Sequence, residues 1–120
     1  GLSHQTFEAL SHQIDCVLHN APIASVVRDY HSLKAANVDA AIESLRLAIA
    51  AGAALHHVST IAVAGAGSSG TASDHSVPEA FIPWHQQLGD GYQQSKWAAE
   101  YLLQQAQGLG FARSHRRRSG

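Results

Sequence analysis

The sequence has little cysteine: Cys16 is the only one in 120 residues. No disulfide can close within the chain, and a small fold stapled by disulfides is excluded. Cys16 lies in the apolar run Ile14-Asp-Cys-Val-Leu18, where a buried structural thiol is expected rather than a nucleophile. Long apolar runs are missing as well, since none approaches the roughly 20 residues that span a bilayer. The N-terminal residues show no basic stretch leading into an apolar core, the pattern of a secretory leader. The expected location is the cytoplasm, with no membrane as partner. Charge is scarce too, at 14% of residues against 45% apolar ones, which excludes the composition of a disordered chain and describes one globular unit.

What charge there is falls unevenly. Residues 1–112 carry four Lys/Arg (Arg28, Lys34, Arg46, Lys96) against nine Asp/Glu, a net of −5, whereas Arg113, Arg116, Arg117 and Arg118 crowd the last eight residues. The body is acidic and the end basic. A tail this short, with no aromatic residue after Phe111, is expected to be a disordered end over 112–120 rather than a nucleic-acid site.

Hydrophobic periodicity gives the organisation. Ser3 is placed to cap a helix over 3–13, with Phe7, Leu10 and Ile14 at helical spacing. Residues 15–19 read as a short strand and 20–24 as a turn. Val38, Ala41, Ile42, Leu45, Ala48 and Ile49 recur on one helical face with Asp39, Glu43 and Arg46 opposite, and Gly52 ends that helix. A second strand is predicted over 54–63, then a long loop rich in Gly, Ser and Pro over 64–90, then a helix over 92–107 with Ala98, Leu102 and Ala106 as its packing line. Helix, strand, helix, strand, helix is the grammar of an α/β fold, a parallel sheet of Rossmann type with helices on both faces. Two strands do not complete such a sheet, so the chain is expected to be the central fragment of a larger domain.

Two conspicuous patterns are set aside. Gly65-Ala-Gly-Ser-Ser-Gly70 follows a strand and has Asp90 twenty residues beyond it, as in a dinucleotide-binding turn. That mechanism needs a helix N-terminus at the phosphates, but Thr71-Ala-Ser-Asp-His-Ser-Val-Pro78 has no helical period. Nine histidines invite a metal. Yet His56 and His57 are adjacent on a strand and point to opposite faces, and His4 and His12 have no third ligand in register. His75 and His85 sit in the long loop. No metal is expected, and the histidines are read as solvated or capping residues.

Tyr92 and Lys96 are four residues apart on the last helix, which stacks a phenol and an ammonium on one face. A cation beside a phenol favours phenolate and makes the phenol a better proton donor. Asn20 after the first strand, Asn37 on the long helix, and Ser59 and Thr60 at the end of the second strand complete a constellation. In a parallel sheet such residues collect at the carboxyl ends of the strands, where ligands bind. Hydroxyl, phenol and ammonium together could polarise a carbonyl oxygen while hydride reaches its carbon.

Strand-Ser-Thr, a loop of about thirty residues and Tyr-x-x-x-Lys resemble the active site of the extended short-chain dehydrogenase/reductases. Val17-Leu-His-Asn-Ala21, Leu33-Lys-Ala-Ala-Asn-Val38, His57-Val-Ser-Thr-Ile61 and Gly91-Tyr-Gln-Gln-Ser-Lys-Trp-Ala-Ala-Glu100 resemble one branch, the thioester reductase domains. These end nonribosomal peptide and polyketide synthetases, aminoadipate reductases and carboxylic acid reductases, and they are related to fatty acyl-CoA reductases. The resemblance implies NADPH as cofactor and, as partner, an acyl or peptidyl carrier protein whose phosphopantetheine arm delivers a thioester for release as aldehyde or alcohol. It implies that Tyr92 donates the proton, that Lys96 tunes Tyr92 and holds the nicotinamide ribose, and that Thr60 is the catalytic hydroxyl. Asn20 and Ala21 match the turn near the cofactor, and Asn37 and Ser59 support the site.

The sequence departs from that branch where Val38-Asp-Ala-Ala41 replaces Val-x-Gly-Thr, and at Phe111-Ala-Arg-Ser-His-Arg-Arg-Arg-Ser-Gly120, which reads as an artificial or frameshifted end. Residues 1–111 are expected to form a partial NAD(P)-binding domain whose glycine-rich turn lies before residue 1. Other readings of the same residues stay open: a different extended reductase such as a sugar-nucleotide epimerase or dehydratase, an inactive truncated product, or a small non-catalytic binding module.

Overall fold

A computed structural model of the chain describes residues 2–20, 22–25, 27–60, 63, 81–84, 86, 88–110 and 114–115. Ser3 caps the first helix, α1 (His4–Ser11), by accepting the Thr6 N–H on its hydroxyl at 3.2 Å. Strand β1 (Cys16–His19) follows. Asp29 then caps α2 (Tyr30–Lys34), accepting from both the Ser32 N–H at 2.8 Å and the Ser32 hydroxyl at 2.6 Å. The helical backbone continues through a π-type turn (Ala35–Asp39) into α3 (Ala40–Ala51). Gly52 ends α3 in the left-handed conformation, with φ at 63°, which a residue without Cβ adopts freely. Strand β2 (Ala54–His57), helix α4 (Gly91–Gly108) and a two-residue strand β3 (Ser114–His115) complete the order.

The sheet is parallel throughout, in the order β1-β2-β3. Cys16 to His19 pair in register with Ala54 to His57, and Leu55 and His56 pair with Ser114 and His115. Alternation along the strands sends Val17, His19, Leu55 and His57 to one face. There Leu55 packs with Ala48 of α3 and Leu103 of α4, flanked by Val17 and Leu45. The same parity sends Cys16 to the other face, and Cys16 is exposed, which corrects the expectation of a buried thiol. Apolar neighbours in sequence do not bury a residue on the uncovered side of a strand.

Two further expectations are adjusted. Strand β2 ends at His57 rather than near 63. The Val58 N–H still bonds the His19 carbonyl at 3.0 Å, but the Val58 carbonyl is taken by the Lys96 side chain at 2.8 Å, so the chain leaves the sheet at that point. The packing line of α4 is Ser95, Lys96, Ala99, Leu103 and Ala106; Ala106 is as expected, while Ala99 and Leu103 stand in place of Ala98 and Leu102. The stripe is rotated because two of its buried members are polar and hydrogen-bonded, which a count of apolar residues misses. Ser114 and His115 pair with β2 although they fall within the stretch expected as a disordered tail; the other residues of 112–120 lie outside the described residues, as does the Gly65–Gly70 segment.

The start of α4 is set by a close backbone approach. A Cβ added at Gly91 would collide with the backbone of Arg28, Asp29 and Tyr30, where the chain enters α2. On the outer side of α4, Trp97 stacks on Tyr101 and donates its indole N–H to the Ile82 carbonyl at 2.8 Å, tying residues 81–84 to the helix. Gly91→Ala must push two backbones apart, and overpacking of this kind costs about 1–3 kcal/mol. Thermal unfolding of Gly91→Ala is expected to show a melting temperature lower by several degrees; an unchanged one contradicts the close approach.

Candidate active site

The carboxyl ends of β1 and β2 meet the first turns of α4. Asn37 joins them from the π-type turn, a distortion that often marks functional positions. Its side chain is fully buried, and its amide is used on both sides. The Oδ1 accepts the Ile23 N–H at 2.7 Å, while the Nδ2 donates to the Ile23 carbonyl at 3.0 Å and to the Ser95 hydroxyl at 2.9 Å. Ser95 in turn donates to the Tyr92 carbonyl at 2.8 Å. One asparagine thus ties the segment after β1 to the turn of α4 that carries Tyr92 and Lys96.

Lys96 is 1% exposed. Its ammonium donates to the Val58 carbonyl at 2.8 Å and lies 3.4 Å from His57 Nε2. Burial pushes its pKa down to about 8, against the opposing pull of Glu100 one turn further along α4. Two histidines lie behind it. His57 Nδ1 is 3.0 Å from His19 Nδ1, and the rings stack with centroids 5.2 Å apart. Burial first, then the Lys96 charge, then His19, depress the His57 pKa to about 3. His19 is lowered by burial and by Lys96. Both imidazoles are therefore neutral near neutral pH. This corrects the reading of the histidines as solvated or capping groups: His19 and His57 are 7% and 9% exposed. The signal was available in the alternation that puts both at strand ends on the face of Val17 and Leu55.

The remaining residues fall around this centre. Tyr92 is half-buried, one turn before Lys96 on α4. Thr60 is half-buried two residues beyond Val58, so the bond that holds Lys96 also holds the chain leading to Thr60. Ser59 donates its hydroxyl to the Glu100 carboxylate, a link between strand exit and helix. Asn20 is exposed directly after His19, and Ala21 lies outside the described residues. His75 and His85 also lie outside them, and among the described residues no three His, Cys, Asp or Glu side chains are grouped to hold a metal ion. No helix of the described residues is long and apolar enough to cross a membrane.

Comparisons with known proteins agree with this architecture. An NAD-binding family model described as male sterility protein matches residues 1–113. The isonitrile lipopeptide synthase of Streptomyces coeruleorubidus is 44% identical over 106 residues, covering 88% of this chain and 7% of that protein. The glycine betaine reductase ATRR of Emericella nidulans is 37% identical over 107 residues, again 88% of this chain and 8% of the relative. The chain therefore spans less than a tenth of the length of these relatives. Among solved structures, the terminal R domain from the myxalamid PKS-NRPS biosynthetic pathway superposes with a TM-score of 0.76 at 36% identity, covering 92% of this chain and 28% of that one. RMD from Pseudomonas aeruginosa, complexed with NADPH, gives a TM-score of 0.57 at 27% identity over 83% of this chain and 34% of that one. The fold is Rossmann-type, and the chain belongs to the NAD-binding male sterility protein family.

Proposed function

We propose that the chain is the central part of a cytoplasmic, NADPH-dependent thioester reductase domain, with residues 1–111 inside that domain and the basic residues 112–120 at its margin. Its substrate is an acyl or peptidyl chain carried as a thioester on the phosphopantetheine arm of a carrier protein. The observation that carries the reading is the buried Lys96 ammonium at the carboxyl ends of two parallel strands, one helical turn from Tyr92. The likeness to the terminal R domain and to a glycine betaine reductase supports reduction as the activity. The neighbour complexed with NADPH supports that cofactor.

The residues fit such a cofactor. An ammonium has three hydrogens to donate, and among the described residues Lys96 uses two of them, toward Val58 and His57. We assign a further hydrogen of the ammonium to a ribose hydroxyl, and Asn20, which directly follows β1, lies at the same end of the sheet. When bound, NADPH would supply a hydride for the thioester carbonyl carbon. Thr60 donates a hydrogen bond to the oxygen as negative charge develops there, and Tyr92 gives it the proton. The carbon–sulfur bond then breaks as the hydroxyl proton passes to the departing sulfur, so the thiol leaves on the carrier arm and the aldehyde is released. Asn37 and Ser59 act as supports, through Ser95 and Glu100 respectively.

In the intact domain, Tyr92→Phe keeps the ring and removes the acid, so thioester reduction is expected to fall by about 10² to 10⁴ with NADPH affinity little changed. Thr60→Val is expected to cost about one to three powers of ten. Single-turnover reduction of a carrier-bound thioester, followed by NADPH absorbance, measures both, and near-normal turnover in Tyr92→Phe overturns the assignment. The ammonium form of Lys96 is required and its pKa is about 8, so the rate is expected to decline as pH rises through about 8. A rate that holds to pH 10 contradicts that role.

A further inference from the structure

Burying an ammonium requires acceptors around it, and two adjacent residues at the end of β2 supply them, the His57 ring and the carbonyl of Val58 just beyond the strand. The two Nδ1 atoms of His57 and His19, 3.0 Å apart, carry one hydrogen between them: two would clash and none would leave paired lone pairs in contact. We infer that His57 and His19 form a positioning pair for Lys96, in which His57 Nε2 accepts from the ammonium, His57 Nδ1–H donates to His19 Nδ1, and His19 carries its hydrogen on Nε2. This rests on the reductase reading above and extends it to two residues with no part in that chemistry.

The tautomers follow from the lysine. A protonated Lys96 has only hydrogens to offer, so His57 Nε2 must present its lone pair. A neutral imidazole with a lone pair at Nε2 has its hydrogen at Nδ1, and that hydrogen points at His19. His19 accepts at Nδ1 and is left with a hydrogen at Nε2, a buried atom with no partner among the described residues. The neutrality of His57 and the direction of its pKa shift agree with this order. Among the described residues, groups bear on Lys96 from two sides. His57, His19 and the Val58 carbonyl face it from the strands, and Glu100 lies on its own helix. The pair therefore acts as a strap. It fixes the ammonium against the end of β2 and stabilises the charged form that this role needs.

Two substitutions separate strap from filler. In His57→Gln the amide oxygen reaches the place of Nε2 and can still accept from Lys96. In His57→Asn the shorter amide reaches only the place of Nδ1, keeping the link to His19 and losing the one to Lys96. With the intact domain, single-turnover reduction is followed against pH. For His57→Asn the decline on the alkaline side is expected to move to lower pH by about one unit, a tenfold change in proton affinity, because an acceptor of the charged form is lost. For His57→Gln it is expected to stay within a few tenths of a unit. A folded His57→Asn with an unmoved profile overturns the inference. Histidine ¹⁵N spectra of the wild-type domain give a readout independent of turnover and of any variant folding. A neutral His57 with its hydrogen on Nδ1 supports the strap, and a hydrogen on Nε2 overturns it. If Tyr92→Phe retains turnover, the reductase reading fails, and the ¹⁵N result still decides the arrangement of the pair.

Discussion

The bond from the Lys96 ammonium to the Val58 carbonyl is the constraint on which the rest of this structure depends. A charge that is 1% exposed is costly to bury and persists only where its hydrogens find acceptors. The acceptor here is a backbone carbonyl that would otherwise continue the sheet. The bond therefore does two things at once: it ends β2 after His57 and fastens α4 across the strand ends. Thr60 and Tyr92 come from segments separated by some thirty residues of sequence, and this link brings those segments to one edge.

The surroundings keep α4 from sliding. Gly91 lets the first turn of the helix touch the backbone that enters α2, and Asn37 binds the next turn through Ser95. The apolar contact of Leu103 with Ala48 and Leu55 holds the far half of the helix. Polar bonds thus fix the end of α4 that carries Tyr92 and Lys96, and apolar packing fixes the other end. The division suits a site that has to be both hydrogen-bonded and partly dry, because polar interactions strengthen where water is excluded.

Much of this was legible in the sequence where one period governed. The four-residue spacing of Tyr92 and Lys96, the alternation in the strands, and Gly52 as the end of a helix are local signals, and the structure follows them. The lone long-helix asparagine was also visible, though its bonds to Ile23 and Ser95 depend on tertiary approach. The misses share one cause. Reading polar residues as outward-facing hid the burial of His19, His57 and Ser95, which the structure buries beside hydrogen-bond partners brought close by the fold. It also shifted the packing line of α4 by one position and lengthened β2, since no local pattern shows that a lysine far along the chain will claim the carbonyl of Val58. Cys16 was misplaced for the complementary reason: apolar neighbours say nothing about which face of a strand is covered.

The central claim is that Lys96 is a buried, desolvated ammonium poised near neutral pH, and its own titration tests it most directly. In the intact domain with ¹³C-labelled lysine, the ε-carbon resonance that disappears in Lys96→Arg is followed against pH. The structure offers an internal contrast, since Lys34 is exposed and its pKa is raised by its bond to Asp39. The account predicts that the Lys96 resonance titrates near pH 8, while Lys34 stays protonated to well above that. A Lys96 that titrates with the ordinary lysines, near pH 10.5, would contradict it.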